Sequence, residues 1–186
     1  MRIVLASQSP RRRELLAAAG FEFDVAAADV PEVREAGEPA ARYVERLARE
    51  KAEAIAARYP DRPVLGADTE VVIDGDVLGK PADAAEAARM LRRLSGRTHQ
   101  VLTGLALVWR GRVLTAVEST IVRLSALTDD ELLEYVASGE PMDKAGGYAI
   151  QGRAARFIPR IEGSYSNVVG LPVATVLQIL RQAGLA

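Results

Sequence analysis

The sequence lacks cysteine and contains a single histidine, His99, and both scarcities exclude classes of chemistry. Without cysteine there can be no disulfide framework, no thiol nucleophile and no zinc–thiolate site. One histidine excludes metal sites built from several histidines as well as histidine relays. No base or metal partner for His99 is visible in the sequence, so we interpret it as structural. Aromatic residues make up 5% of the chain against 49% hydrophobic residues, which predicts an aliphatic core.

Long apolar runs are also absent. No run approaches the roughly 20 residues that a helix needs to span a bilayer. Residues 1–7 are typical of a strand and lack the longer apolar segment and cleavage site of a signal peptide. For a chain of 186 residues, a single domain covering 1–186 is the expected organisation. We therefore expect a cytoplasmic protein without a membrane partner.

The charges nearly cancel. Lysine plus arginine total 24 and aspartate plus glutamate total 25, which gives a formal net charge of −1. A general polyanion binder needs a net basic surface, so we expect no nucleic-acid partner, although a local basic site stays open. The cations are 21 arginines and only three lysines, namely Lys51, Lys80 and Lys144.

Hydrophobic periodicity predicts alternating strands and helices in the first half of the chain and a β-hairpin in the second. We expect strands at 2–7, 21–28, 64–73, 77–78, 101–109, 112–124, 146–151 and 155–161, and helices at 10–19, 39–59, 83–94, 128–137 and 171–183. This order predicts an α/β protein with a mixed, twisted β-sheet flanked by helices, and two lobes around a deep cleft.

Three consecutive arginines, residues 11–13, fall in the first turn of the first predicted helix. The positive end of the helix dipole disfavours cations there, while its free N–H groups make the same place a ready anion site. The segment from Ser7 through Pro10 into these arginines therefore indicates a phosphate cradle. The alternative is a solvated basic turn on an arginine-rich protein.

Lys51 falls in the middle of an apolar stripe. It lies four residues after Leu47 and four before Ile55, so helical spacing places it on the buried face. A lysine there is unfavourable unless it is paired or faces a polar cleft. We favour the cleft over the alternative of a lysine that snorkels from the edge of the stripe.

Two carboxylates interrupt an otherwise apolar strand. Asp68 and Glu70 are two residues apart and should share one face, where they could hold a hard cation such as Mg²⁺. The alternative is an edge strand with a wet polar face. Lys80 lies between Gly79 and Pro81 in a predicted turn, and by itself this position is only weak evidence for a functional lysine.

Eight segments form an ordered set from Leu5 to Pro172. They are Leu5-Ala-Ser-Gln-Ser-Pro-Arg-Arg-Arg-Glu-Leu-Leu16, Leu47-Ala-Arg-Glu-Lys-Ala52, Gly66-Ala-Asp-Thr69, Leu78-Gly-Lys-Pro81, Leu94-Ser-Gly-Arg-Thr-His99, Asp143-Lys-Ala-Gly146, Ile150-Gln-Gly152 and Val169-Gly-Leu-Pro172. Together they resemble the motifs of the Maf family of nucleoside triphosphate pyrophosphatases. Any one segment is weak, but eight in the same order are highly specific.

The resemblance implies a fold similar to that of inosine triphosphate pyrophosphatases. It also implies hydrolysis of dTTP and UTP, or of modified pyrimidine nucleotides, to the monophosphate and pyrophosphate. The implied cofactor is a divalent cation, Mg²⁺ or Mn²⁺, and the implied assembly is a homodimer in the cytoplasm. The family is linked to removal of non-standard nucleotides and to arrest of cell division.

The resemblance also implies a set of catalytic residues. Arg12, Lys51 and Lys80 would hold the phosphate chain, with Ser7 and the helix N-terminus adding hydrogen bonds. Asp68 would act as the general base that orients a water molecule at the α-phosphorus.

For the metal, the resemblance implies Asp68 together with Glu32. Glu70 departs from the family pattern, which usually has an aliphatic residue at that position. That departure puts the Asp68–Glu70 pair in doubt as the metal site.

For nucleotide specificity, Arg11, Thr69 and Gln151 match the branch that prefers dTTP and UTP. The branch that acts on 7-methyl-GTP typically has a bulky aromatic in place of Arg11 and a glutamate in place of Gln151.

Other functions stay open at this stage. One is a nucleotide-binding regulator of cell division and septum formation with incidental hydrolysis. Binding alone would need only cations that hold the phosphates, whereas this chain also has the acidic residues that hydrolysis requires. Another is a 7-methyl-GTP pyrophosphatase. A third is RNA binding through the arginine-rich first helix, which the net charge of −1 and the few aromatic residues disfavour.

Overall fold

The computed structural model describes residues 2–186, which form one seven-stranded sheet and six α-helices. The strands are β1 Ile3–Leu5, β2 Phe23–Val25, β3 Val64–Ile73, β4 Asp76–Leu78, β5 Thr98–Trp109, β6 Arg112–Arg123 and β7 Arg160–Glu162. The helices are α1 Pro10–Ala18, α2 Ala40–Ala56, α3 Ala84–Leu94, α4 Asp129–Ala137, α5 Tyr165–Val169 and α6 Val173–Gln182. Short 3₁₀ helices cover Glu140–Asp143, Ala145–Gly147 and Arg153–Phe157.

The sheet mixes parallel and antiparallel pairs. Its strand order is β2-β1-β3-β5-β6-β7, and β4 pairs with β3. β1 runs parallel to β2 and to β3, whereas the β3–β4 and β6–β7 pairs are antiparallel. The prediction of a mixed α/β sheet flanked by helices is therefore confirmed.

The chain divides into two compact units. The first runs to Thr69 and adds Thr103–Glu118 and Gly170–Ala186, and the second comprises Glu70–Leu102 and Ser119–Val169. Strands β3, β5 and β6 each contribute residues to both units. The predicted single domain and the predicted deep cleft between two lobes stay predictions.

The first unit has a core on each face of its sheet, as strand alternation requires. Ile3 and Leu5 of β1 pack in one cluster with Leu16 of α1 and with the buried residues of α6. Val4 lies in a second cluster with Ile55 of α2. The buried side chains of both clusters are almost all aliphatic, as predicted from the few aromatic residues.

Two glycines let α2 lie unusually close to the sheet. A Cβ built at Gly66 of β3 would lie 2.1 Å from the carbonyl oxygen of Ala48, and one at Gly104 of β5 would lie 2.2 Å from that of Val44. Neither position tolerates a side chain while the helix backbone stays in place. These contacts fix the distance of α2 from β3 and β5.

The second unit has its own core, which includes Leu91 of α3 and Tyr135 of α4. The predicted capping box of α4 is present, with the Thr128 side chain accepting from the backbone of Glu131 and the Glu131 side chain accepting in return.

The prediction of two short strands in the second unit, at 146–151 and 155–161, is wrong. Residues 146–151 form part of a 3₁₀ helix and a turn, because Gly146 and Gly147 have φ values of 70° and 72°, which two consecutive residues of a regular strand do not adopt. Residues 155–161 begin as a 3₁₀ helix, and only their end belongs to β7. The buried run Tyr148–Ile150 resembles a core strand in composition, and this composition misled the prediction.

Of the helices described here, none has both the length and the apolarity that crossing a membrane requires.

Replacement of Gly104 by alanine tests the close approach of α2. The new Cβ would overlap the Val44 carbonyl, so we expect the free energy of unfolding to fall by about 1–3 kcal/mol. Urea denaturation measures this loss. Gly79→Ala is the matched control, because a Cβ there meets only the Glu70 carboxylate at an ordinary contact distance. Equal stability of the two variants would show that α2 shifts freely.

Candidate active site

Lys51 is buried on α2 and bound by two carboxylates. Its Nζ lies 2.6 Å from Glu32 Oε1 and 2.6 Å from Asp68 Oδ1. The residue is only 7% exposed, so the alternative of a snorkelling lysine is wrong. A buried ammonium is tolerated here because its hydrogen-bonding partners are charged and close.

Asp68 supplies the buried half of this cluster. It is 4% exposed and lies on β3, between β1 and β5 in the sheet, so the alternative of a wet edge strand is wrong. One of its oxygens accepts from Lys51, while the other, Oδ2, is buried and accepts no hydrogen bond from the described residues. A buried carboxylate oxygen without a donor is an open acceptor or ligand position.

The Arg12 side chain donates hydrogen bonds to two backbone carbonyls and two hydroxyl groups of the first unit. Its Nε donates to the carbonyl oxygen of Gly170 at 2.9 Å, and its Nη1 donates to that of Ala67 at 2.9 Å and to Ser7 Oγ at 3.1 Å. Its Nη2 donates to Thr69 Oγ1 at 3.1 Å. The guanidinium thus orients two predicted site residues, Ser7 and Thr69, besides placing a positive charge beside them.

Two serines order the start of α1, where the anion cradle stays a prediction. Ser9 caps the helix by accepting from the backbone N–H of Arg12, and the Ser9 N–H donates to Ser7 Oγ at 3.2 Å. Ser7 is buried, and Arg11 is half-buried in the first helical turn. Polar groups therefore concentrate where the helix dipole is positive.

The carboxylates of this unit fit a divalent cation. Glu32 Oε1 and Asp68 Oδ1 both contact Lys51 Nζ at 2.6 Å, so they lie at most about 5 Å apart. No group of three or more metal-binding side chains occurs in residues 2–186. Mg²⁺ usually takes one or two protein carboxylates and completes its shell with water and substrate phosphates. The carboxylates of Glu32 and Asp68, the latter with its Oδ2 open, are therefore enough to hold one such ion.

Lys80 and Gln151 belong to the second unit. Lys80 is exposed two residues after the end of β4, and Gln151 is exposed in the turn that also contains Ile150. Glu70 of the same unit is buried at 8% exposure.

Two site contacts were not predicted from the sequence. Thr103 is fully buried, and its Oγ1 lies 2.9 Å from Thr69 Oγ1. The carbonyl of Gly170 accepts from both Arg12 and Thr69. For Thr103, the only signal in the sequence is a threonine inside the apolar strand β5. Gly170 lies in the segment Val169-Gly-Leu-Pro172, but nothing in that segment indicates a role for its carbonyl oxygen.

His99 has a structural environment, as predicted. Its Nε2 shares a hydrogen bond of 2.7 Å with the Tyr148 hydroxyl, and the two rings meet edge to face. Burial lowers the pKa of His99 to about 4. The imidazole is therefore neutral in the folded protein throughout the physiological pH range.

Comparison with known proteins identifies the family. A family model described as Maf-like protein matches residues 2–183, and the chain belongs to that family. It is 53% identical over 184 residues to the dTTP/UTP pyrophosphatase of Koribacter versatilis (strain Ellin345), covering 99% of this chain and 95% of that protein. It is 56% identical over 182 residues to the dTTP/UTP pyrophosphatase of Symbiobacterium thermophilum, covering 98% and 94%. The family predicted from the eight segments is confirmed.

A solved structure, that of the Staphylococcus aureus Ham1 protein, aligns with a TM-score of 0.47 and 15% identity over 67% of this chain and 72% of that chain. A likeness this remote carries no argument about function.

Replacement of Lys51 by methionine tests the buried ion pair. Asp68 would then be a buried charge without its partner, so we expect the free energy of unfolding to fall by about 3 kcal/mol. Adding Asp68→Asn should recover much of that loss, because the uncompensated charge disappears. Arg49→Met on the same helix removes an exposed cation and should change stability little. Absence of recovery in the double variant would contradict the pairing.

The burial of His99 should make the free energy of unfolding depend on pH. The unfolded histidine titrates near its ordinary pKa of 6.5, whereas burial lowers the pKa of folded His99 to about 4. The unfolded state therefore binds more protons between these values. We expect the free energy of unfolding to fall by roughly 1.5 kcal/mol from about pH 6.5 to about pH 5. Denaturation of His99→Gln over the same range is the control, and an unchanged slope in that variant would refute the assignment.

Proposed function

We propose that this protein hydrolyses dTTP and UTP to the nucleoside monophosphate and pyrophosphate. The observation that carries the proposal is the buried Lys51 ammonium held by Asp68 and Glu32, since Lys51 and Asp68 lie inside the segments that resemble the family. The curated relatives named dTTP/UTP pyrophosphatase, which match nearly the whole chain, support it.

Charge determines how the substrate would be held. A nucleoside triphosphate brings about four negative charges, which must be met by cations and oriented N–H groups. Lys51 and Lys80 bind the phosphate chain as compact point charges. Ser7 and the N-terminus of α1 add hydrogen bonds. Arg12 contributes its positive charge and holds Ser7 in place through the 3.1 Å hydrogen bond.

Asp68 is the general base of the proposed reaction. It accepts the proton of a water molecule whose oxygen attacks the α-phosphorus, and the bond between the α-phosphorus and the bridging oxygen breaks. The bridging oxygen leaves with the β- and γ-phosphates as pyrophosphate. Lys51 Nζ donates to Asp68 Oδ1 at 2.6 Å and so keeps the carboxylate oriented for this step.

Glu32 and Asp68 would hold Mg²⁺ or Mn²⁺, which, when bound, polarises the phosphate and lowers the pKa of water. Glu32 is 44% exposed at its side chain, whereas Asp68 is 6% exposed. This difference in exposure suits a metal site in which Asp68 forms the buried side and Glu32 the side that faces the substrate.

Base recognition is assigned to Arg11, Thr69 and Gln151. Thr69 is fixed by Arg12 and by the Gly170 carbonyl, 3.2 Å from its Oγ1. Gln151 offers both a donor and an acceptor, which suits the edge of uracil or thymine. We also expect the enzyme to act in the cytoplasm as a homodimer, as the family resemblance implies.

The proposal is tested by pyrophosphate release from dTTP, UTP, CTP, 5-methyl-UTP and 7-methyl-GTP with purified protein and Mg²⁺. We expect preference for dTTP and UTP. Asp68→Asn should lower kcat by about 100-fold or more, because it removes the base, and a far-UV circular dichroism spectrum like that of the wild type checks that the loss is not one of folding. Asp61→Asn, at an exposed carboxylate, is the control.

Near-normal turnover of dTTP by Asp68→Asn would contradict the role of Asp68. Tight binding without turnover by the wild type would instead identify a nucleotide-binding regulator, and preference for 7-methyl-GTP would overturn the substrate assignment.

A further inference from the structure

The turn that carries Gln151 is closed by a backbone hydrogen bond. The Gly152 N–H donates to the carbonyl oxygen of Ala149 at 3.1 Å, which leaves Ile150 and Gln151 as the central residues. Ile150 is buried and Gln151 is exposed, so the turn presents the glutamine amide while its neighbour anchors it in the core.

Glu140 binds the chain directly after this turn. Its Oε2 accepts from the N–H of Arg153 at 3.0 Å, and its Oε1 accepts from that of Ala154 at 3.4 Å. A Cβ built at Gly152 would lie 2.4 Å from the same carboxylate, so position 152 has room only for glycine while Glu140 occupies this site.

Tyr135 binds the chain directly before the turn and joins this contact to Glu140. The Ala149 N–H donates to the Tyr135 hydroxyl oxygen at 3.1 Å, and that hydroxyl donates to Glu140 Oε1 at 2.7 Å. Tyr135 is 1% exposed, and its ring packs edge to face on Phe157. We call Glu140, Tyr135 and these backbone contacts the Glu140 brace.

The electrostatics favour an ionised Glu140. Burial alone would raise the pKa of this carboxyl, but the Arg153 N–H, the Tyr135 hydroxyl and the Ala154 N–H lower it below its ordinary value. Lys144 Nζ also donates to the Glu140 carbonyl oxygen at 2.7 Å, which fixes the backbone of the carboxylate itself. Charge-assisted hydrogen bonds are stronger and more directional than neutral ones.

We propose that Glu140 is a positioning residue for nucleobase selection, which acts with Tyr135 by fixing the turn that presents Gln151. Hydrogen bonds on both sides of the turn leave the Gln151 backbone little freedom, so its amide is oriented before substrate arrives. This inference rests on the proposed function, and specifically on Gln151 as a reader of the pyrimidine.

The test compares two substrates, dTTP and 2-deoxyribose 5-triphosphate, which lacks the base. In Tyr135→Phe and Glu140→Gln, we expect kcat/KM for dTTP to fall about tenfold, mainly through KM, because ground-state contacts with the base are lost. Turnover of the base-free triphosphate should stay within about twofold, since the phosphate contacts are unchanged. Tyr165→Phe and Glu134→Gln, at exposed positions of the same unit, are the matched controls.

A double-variant cycle separates positioning from general structure. If Glu140 acts through Gln151, then Glu140→Gln should add almost no further loss for dTTP in a Gln151→Ala background. Amide hydrogen exchange at Ala149 should accelerate in Tyr135→Phe, a variant that keeps the buried ring and its packing.

Equal losses on both substrates, or additive losses in the double variant, would overturn the inference and leave the proposed function standing. If the wild type releases no pyrophosphate from dTTP, the proposed function fails, and this inference fails with it.

Discussion

The burial of one ammonium between two carboxylates is the constraint on which the site depends. Lys51 can occupy the interior only while Asp68 and Glu32 meet it, and Asp68 can be buried in β3 only while Lys51 compensates it. The close approach at Gly66 brings the helix within reach, because Gly66 lies two residues before Asp68 and packs against the turn of α2 that carries Lys51. The packing of α2 against β3 and the contact between Lys51 and Asp68 are therefore parts of one arrangement.

Arg12 shows that a cation proposed to meet phosphate can also organise the protein around it. Its hydrogen bonds reach Gly170, which is 158 residues away in sequence, as well as Ser7 and Thr69. A planar guanidinium with several fixed donors suits this role, whereas a flexible ammonium suits a single contact with phosphate. Among the 21 arginines and three lysines of the chain, Lys51 and Lys80 are the cations proposed to make point contacts with phosphate.

In the second unit, side-chain oxygens that accept from backbone N–H groups hold the exposed turn in place, and no regular secondary structure does so. Glu140 and Tyr135 bind the amides on both sides of Gln151, and the left-handed glycines Gly146 and Gly147 precede that turn. A segment of this kind has buried apolar residues without strand geometry. Its order comes from side-chain to backbone hydrogen bonds, which periodicity does not reveal.

The sequence alone determined the mixed character of the sheet, the bounds of five of the six described α-helices to within a few residues, the unusual position of Lys51 and the family, whereas α5 was not predicted. These follow from local rules, namely hydrophobic spacing, caps, turns and the order of the eight segments. Only the tertiary structure decided that Lys51 contacts both acids, that one oxygen of Asp68 has no donor among residues 2–186, and that Arg12 binds the Gly170 carbonyl. Such contacts join residues distant in sequence, and they depend on how helices pack against strands, which no local pattern encodes.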